Sequence, residues 1–282
     1  MSASALGLAV LLTGAPSPVA SPAAGIRWET QLDDGLKKAR HLNKPVMVDF
    51  WAKWCGWCKR LDQTTYIDPV VAKMAESFVA LKVNTEGSGK EAAFAERYDI
   101  STLPTIAFLT PGGHLVYRIN GYQGPGRFPQ TLELAQTEAK KVMAWEGALD
   151  KNPKDAAALA SLGTHMFEQE FYGEARDLLY QATLVDQARP PVERRRTRML
   201  LAIVENYDRK FPEAETLLKE ALGLQPSSDD EPKLLFILGR TYVSWGRKTE
   251  AQQTMHVILR EYGQNPLAQK ARDTLANLDK KN

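Results

Sequence analysis

The sequence predicts two folds in one chain, an α/β layer domain followed by an all-α helical repeat domain. Three observations carry this. Short, nearly continuous apolar runs alternate with helix-spaced apolar residues through the first half of the chain. All strand signal stops after Asn152-Pro153. Beyond that point the helical pattern recurs, with Ala175, Ala214 and Ala251 at matching places. A chain of 282 residues also suits two domains better than one.

Each element follows from its local pattern. Leu32, Leu36, Ala39 and Leu42 recur at helical spacing, and Asn43-Lys44-Pro45 ends that helix. Val46-Met47-Val48-Asp49-Phe50-Trp51 is a nearly continuous apolar run, as expected of a strand buried on both faces. A helical segment follows as far as Leu61, and another runs from Asp68-Pro69 to Ser77. Phe78 to Val83 reads as a second buried strand, and Glu91 to Tyr98 as a helix. Thr105 to Leu109 and Leu115 to Ile119 read as strands, joined by the hairpin signal Pro111-Gly112-Gly113. Arg127 opens a long helix that enters the repeats with no Gly/Ser linker, so the two parts are expected to be rigidly joined.

Composition excludes some functions. The net charge of +2 gives no sign of a nucleic-acid partner or an acidic membrane. The basic run Arg194-Arg195-Arg196 with Arg198 reads as a solvated helix face. Residues 1–24 hold an apolar stretch ending at Leu12, then a Pro/Ala/Ser-rich stretch. This resembles a secretory signal, with small residues around Ser21-Pro22-Ala23 for cleavage, although the first cationic residue is Arg27. A periplasmic or otherwise exported location is expected.

The two cysteines cannot form the framework of a 31.4 kDa protein. They sit together in Trp54-Cys55-Gly56-Trp57-Cys58-Lys59, where the spacing lets the sulfurs meet as a disulfide or as a thiol pair. Where a strand gives way to a helix, the helix N-terminus stabilises a thiolate, and this becomes a redox site. A structural disulfide or half a zinc site are the alternatives. The histidines His41, His114, His165 and His256 are scattered without ligand spacing, and Lys59 excludes a C-x-x-C-H haem site.

The stretch from Lys44-Pro45 through Asp49-Phe50-Trp51 to Cys55-Gly56-Trp57-Cys58-Lys59 resembles the active-site segment of the thioredoxin superfamily. The match continues with Leu103-Pro104-Thr105 and Gly112-Gly113, and covers roughly residues 26–140. Thr64-Thr65-Tyr66-Ile67-Asp68-Pro69-Val70-Val71 departs from thioredoxin itself. It resembles exported relatives, among them the C-terminal domain of the bacterial transmembrane reductase DsbD. A thioredoxin-like domain is therefore expected over 26–150.

The resemblance implies roles. Cys55 at the helix N-cap is the expected nucleophile, and Cys58, one turn further in, the resolving cysteine. Asp49 matches the family's buried aspartate, a proton acceptor for the resolving cysteine, and Lys82 matches the lysine that accompanies it. Pro104 matches the cis-proline, with the Leu103 backbone pairing to an extended substrate. Trp54, Gly56 and Trp57 complete the expected substrate surface, with the two indoles as an apolar apron around an exposed sulfur. Gly-Trp replaces the Gly-Pro of the reducing family member, at the place where the potential is tuned.

The second half fits the tetratricopeptide template of about 34 residues. Leu159, Leu162-Gly163, Met166, Ala175, Leu179 and Ala182 match once; Leu235, Leu238-Gly239, Tyr242, Ala251, Met255 and Ile258 match again. Leu201-Ala202, Ala214, Leu218, Ala221 and Pro226 give a degenerate third match, and Pro266 to Leu278 reads as a capping helix. Arg189-Pro190-Pro191 and Pro226–Pro232 read as linkers between repeats. The repeat domain spans 153–282 and implies a protein or peptide partner. Together the parts suggest a thiol–disulfide oxidoreductase acting on protein disulfides, as a reductant fed by a membrane donor of DsbD type. No metal or dissociable cofactor is expected. The rival reading is an adaptor whose repeats bind a partner while the cysteine pair is structural or senses redox state.

Overall fold

The computed structural model describes residues 25–87, 89–224 and 229–280. The expected leader over 1–24 and the repeat residue Pro226 lie outside them.

Helix α1 (Leu32–Leu42) has Asp33 and Asp34 in its first turn and Arg40 and His41 in its last, each sign opposing the helix dipole. It stops at Asn43, which takes the left-handed conformation with φ 48°. Strand β1 (Val46–Trp51) follows, then a short helix α2 (Gly56–Arg60) that continues as a π turn over Leu61–Thr65. Helix α3 (Pro69–Ala75) is opened by Asp68, whose carboxylate accepts from the N–H groups of Val70 and Val71, with Pro69 in the first turn. Strand β2 (Val79–Asn84) begins one residue later than the apolar run suggested, because the Phe78 N–H is spent on the Ala75 carbonyl.

Helix α4 (Gly89–Arg97), strands β3 (Thr105–Leu109) and β4 (Leu115–Asn120), and the long helix α5 (Phe128–Lys151) complete the first half. The strand order is β2-β1-β3-β4. β1 runs parallel to β2 and antiparallel to β3, which pairs antiparallel with β4. Alternation along β1 builds two cores. Val46, Val48 and Phe50 join Leu32, Ala39, Ala95 and Tyr98 on the face of α1 and α4. Met47 joins Leu61, Tyr66, Val71, Phe128 and Leu132 on the opposite face, under the π turn, α3 and α5. Asp49 shares the Met47 face, so the pleat drives a carboxyl into an apolar layer.

Register fixes the two ends of the sheet. Thr105 pairs with Phe50 and with Asn120 at one end; Leu109 pairs with Val46 and with Leu115 at the other. The cysteines follow β1 and so lie at the Thr105 end. The β3–β4 hairpin turn lies at the far end.

Beyond α5 the described residues are helical. Three antiparallel pairs follow, α6 (Ala156–Glu168) with α7 (Tyr172–Val185), α8 (Pro191–Tyr207) with α9 (Phe211–Gly223), and α10 (Glu231–Trp245) with α11 (Lys248–Glu261). Helix α12 (Leu267–Asp279) packs on α11 where the capping helix was expected. Small residues set the crossings. A Cβ on Gly163 would sit 2.9 Å from Leu179 Cγ, and one on Gly239 would sit 2.6 Å from Met255 Cε. The middle pair carries fully buried Ala202 at the corresponding place. Neighbouring pairs repeat the same aromatic contact: Tyr172 stacks on Tyr207 at 4.7 Å, and Phe211 on Trp245 at 6.1 Å.

Two expectations are corrected here. Pro191 and Pro232 are first-turn residues of α8 and α10, where a missing N–H costs nothing, rather than parts of linkers. The arginine run is no solvated face, since Arg195 and Arg198 are buried. Arg195 Nε donates to the Ala221 carbonyl at 3.2 Å and a second guanidinium nitrogen to that of Leu224, capping the end of α9. Arg198 Nη1 donates to buried Asp186 at 2.6 Å, and Arg194 Nε lies 3.3 Å from the same carboxylate.

One apolar core runs from the sheet through Ala135, Ala139 and Val142 of α5 into Leu162, Met166 and Leu201. At the far end of the sheet the hairpin is clasped. His114 Nδ1 pairs with Glu146 of α5, and its Nε2 lies 3.0 Å from Glu174 Oε1 of α7. His165 of α6 donates from Nε2 to the Leu115 carbonyl at 2.9 Å. Burial opposes the His114 charge, but hydrogen bonds to both glutamates and their charges outweigh it and raise its pKa to about 9.

Candidate active site

Cys55 and Cys58 are joined as a disulfide with Cα atoms 5.3 Å apart. Cys55 is the N-cap of α2 in extended conformation, and the Cys58 N–H donates to its Sγ at 3.1 Å. The Cys55 N–H is itself held by the Ala52 carbonyl at 3.1 Å. The sulfur that would become the thiolate therefore lies where a helix start presents its N–H groups. Burial differs from expectation, for Cys55 is 3% exposed and Cys58 2%. In this disulfide state neither sulfur stands out from the surface.

Asp49 is fully buried and its pKa is raised to about 6. Burial drives the shift upward, and Lys82 opposes it. Lys82 Nζ lies 3.2 Å from Asp49 Oδ2 and also pairs with Asp62 of the π turn. Among the described residues neither the Asp49 oxygens nor the buried Tyr66 hydroxyl makes a well-directed hydrogen bond, yet the Tyr66 hydroxyl faces the Asp49 carboxyl and the two act on each other's titration. The ammonium is caged by the rings of Trp28, Trp51 and Tyr66, at 5.2, 5.7 and 5.5 Å from their centroids. Trp51, read from sequence as core, is half-buried at this cage. The result is a buried carboxyl without a well-directed hydrogen bond, tethered to a cation whose second partner, Asp62, is partly exposed.

The two indoles diverge instead of forming one apron. Trp54 is 68% exposed and donates from Nε1 to Glu86 Oε1 at 2.9 Å, beyond the end of β2. Trp57 is 60% exposed and packs on Tyr122, beyond the end of β4, with ring centroids 5.5 Å apart. β2 and β4 are the two edges of the sheet, so the indoles flank the cysteines on opposite sides. Gly56, the first residue of α2, has open space where a side chain would stand. The Leu103–Pro104 peptide is cis, directly before the residue that pairs with Phe50, which places it at the cysteine end of the sheet.

Residues 32–136 match the thioredoxin-like domain family. The N-terminal domain is thioredoxin-like. The chain is 32% identical over 110 residues to the thiol:disulfide interchange protein DsbD of Escherichia coli K12, covering 38% of this chain and 19% of that protein. It is 32% identical over 111 residues to DsbD of Vibrio vulnificus, with the same shares covered. The chain thus spans about a fifth of the length of these curated relatives. Among solved structures, a Thermus thermophilus thioredoxin aligns with 26% identity and a TM-score of 0.38, over 41% of this chain and 90% of that one. The reduced C-terminal domain of Neisseria meningitidis DsbD aligns with 22% identity and a TM-score of 0.33, over 36% and 91%.

Several residues of this thioredoxin-like site were not foreseen. Asp62 stands four residues after Cys58, a helical spacing that marks it as a neighbour of the motif. Thr64 and Tyr66 belong to the segment that departs from thioredoxin but had no role assigned, Glu86 carries no motif, and Tyr122 was expected only to flank the groove; folding brings them to the site. Among the described residues no group of three or more His, Cys, Asp or Glu side chains is placed to hold a metal. No helix among them is long and apolar enough to cross a membrane.

Proposed function

We propose that this chain is an exported thiol–disulfide oxidoreductase that reduces protein disulfides through Cys55 and Cys58. The observation that carries the reading is the cysteine pair at the start of α2, at the same sheet end as a cis-proline and following a strand that holds a buried aspartate of raised pKa. A structural staple needs no such carboxyl.

The exchange runs in two steps. The Cys55 thiolate attacks one sulfur of a substrate disulfide, forming a mixed disulfide and expelling the other sulfur as a thiolate. Cys58, losing its proton to Asp49, then attacks Cys55 Sγ, which re-forms the Cys55–Cys58 disulfide and releases the substrate's second thiol. The substrate gains two electrons and the enzyme loses two. A dithiol protein of DsbD type must return them, since DsbD relatives are interchange proteins by name. With a pKa of about 6, Asp49 is ionised near neutrality and close enough in basicity to take a proton and give it back. Lys82 holds Asp49 in place and favours its charged form. Trp54, Gly56, Trp57 and the Leu103–Pro104 backbone receive the substrate chain. The chemistry calls for no metal or dissociable cofactor.

We read the helical half as tetratricopeptide-like and as a docking module. It joins the first domain at the hairpin end, and the 24 residues of α5 span about 36 Å. Docking there acts by tethering a partner and raising its local concentration, not by lining the cysteine groove. Reduction of insulin by dithiothreitol, with and without the protein, tests the activity, and Cys58→Ser should accumulate mixed disulfides. An inactive wild type that still binds its partner would support the adaptor instead.

A further inference from the structure

The π turn after the cysteines holds the loop beyond β4, and that loop holds Trp57. The Tyr66 N–H reaches back five residues to the Leu61 carbonyl at 3.0 Å, which defines the turn. In a regular helix, adjacent side chains diverge by about 100°. Here adjacent Thr64 and Thr65 both engage one short loop. Tyr122 Oη lies 3.1 Å from Thr64 Oγ1, and Thr65 Oγ1 donates to the Gln123 carbonyl at 2.7 Å. Thr64 already donates its own proton to the Arg60 carbonyl at 2.7 Å, so toward Tyr122 it accepts and the tyrosine donates.

The same loop reaches the opposite wall of the groove. The Gly121 N–H donates to the Pro104 carbonyl at 2.7 Å, and Gly121 takes φ 88°, which favours glycine. From that anchored loop the Tyr122 ring packs on Trp57 at an interplanar angle of 36°. A single path of contacts therefore leads from the π turn, through Tyr122, to the indole between the two cysteines. Trp57 is mostly exposed, and the Tyr122 ring is the aromatic surface it packs on.

We propose that Thr64 and Tyr122 form a latch that positions Trp57, and that this latch determines how tightly a polypeptide disulfide fits between Trp57 and Pro104. Tyr122 is a positioning residue acting through the indole. The proposal rests on the oxidoreductase reading, and its test separates the two.

The experiment is a double-mutant cycle of Tyr122→Phe and Thr64→Val in the full chain, with kcat and KM measured on a disulfide-bonded polypeptide. Thermal midpoints of all variants are recorded alongside, to exclude unfolding. Both single variants remove the Tyr122–Thr64 hydrogen bond, so KM rises about three- to tenfold with kcat little changed. The double variant rises no further, and Thr64→Ser, which keeps the acceptor, restores the wild-type KM. Unchanged KM in the single variants, or effects that multiply in the double, would overturn the latch. A wild type without thiol–disulfide activity would instead overturn the oxidoreductase reading.

Discussion

The two ends of the sheet in the thioredoxin-like domain are built on opposite terms. At the hairpin end, polar groups find partners: His114 meets two glutamates, His165 meets the Leu115 carbonyl, and the Tyr98 hydroxyl donates to the Gly113 carbonyl at 2.7 Å. At the cysteine end, buried Asp49 has Lys82 as ion-pair partner and faces the Tyr66 hydroxyl without a well-directed hydrogen bond, and two tryptophans face solvent. Both ends contain buried ionisable groups, yet only at the cysteine end do they lack well-directed hydrogen bonds. A satisfied cluster fixes position, whereas an unsatisfied one in a rigid frame retains capacity to take up a proton or a ligand. On the proposed function, the hairpin end is a joint and the cysteine end the reaction site.

Substitutions at the two ends should separate these roles. The largest effect falls on Cys55. Cys55→Ser should reduce insulin turnover to the dithiothreitol background while leaving the helical half folded, as read by circular dichroism. Asp49→Asn comes next and should act in two directions. Turnover at pH 7 should fall about a hundredfold through loss of the proton acceptor. Stability should rise, with the sign following from the raised pKa. The fold favours protonated Asp49, so the wild type loses stability as pH climbs from 3.8 through about 6. That cost is about 3 kcal/mol above pH 6, and the asparagine avoids it. Urea unfolding at pH 4 and pH 8 should show the variant's gain only at the higher pH.

His114→Gln probes the joint. The folded pKa of about 9 exceeds the unfolded 6.5, so this histidine's stabilisation is full below pH 6.5 and lost as pH rises through 9. The variant should lose about 2 kcal/mol at pH 6 and flatten that dependence. It should also widen the interdomain distance distribution in small-angle scattering, while the reduction potential stays put. The smallest effect is expected of Gly163→Ala, whose new methyl meets Leu179 within the repeats. A cost of about 1 kcal/mol in thermal unfolding, with unaltered turnover, would confirm that the first helical pair is structural.

Much of this was legible in the sequence because it depends on short-range pattern. The strand before the motif, the N-cap position of Cys55 and the aspartate six residues upstream all lie within one strand–turn–helix unit. The cis bond at Pro104 was legible through the resemblance alone. What escaped depends on phase and on topology. Asp62 reaches Lys82, and Thr64 reaches Tyr122, from a π turn that no residue type announces. Trp54 and Trp57 diverge because the chains beyond β2 and β4 sit at opposite sheet edges, which strand order decides. Arg195 and Arg198 were misjudged for a related reason. Composition counts charges, but the bare carbonyls ending α9 and buried Asp186 determine where these guanidinium groups go.

On the proposed function, the cysteine pair is an exchangeable dithiol working as a reductant. Equilibrating the intact protein against defined thiol–disulfide buffers would measure its reduction potential. A reducing dithiol should give a value of about −200 to −270 mV, within the range of reducing and exchange-competent members of the fold. A potential below about −300 mV would mark the pair as a structural staple, and one near about −120 mV would make the protein an oxidant; either result would contradict the account.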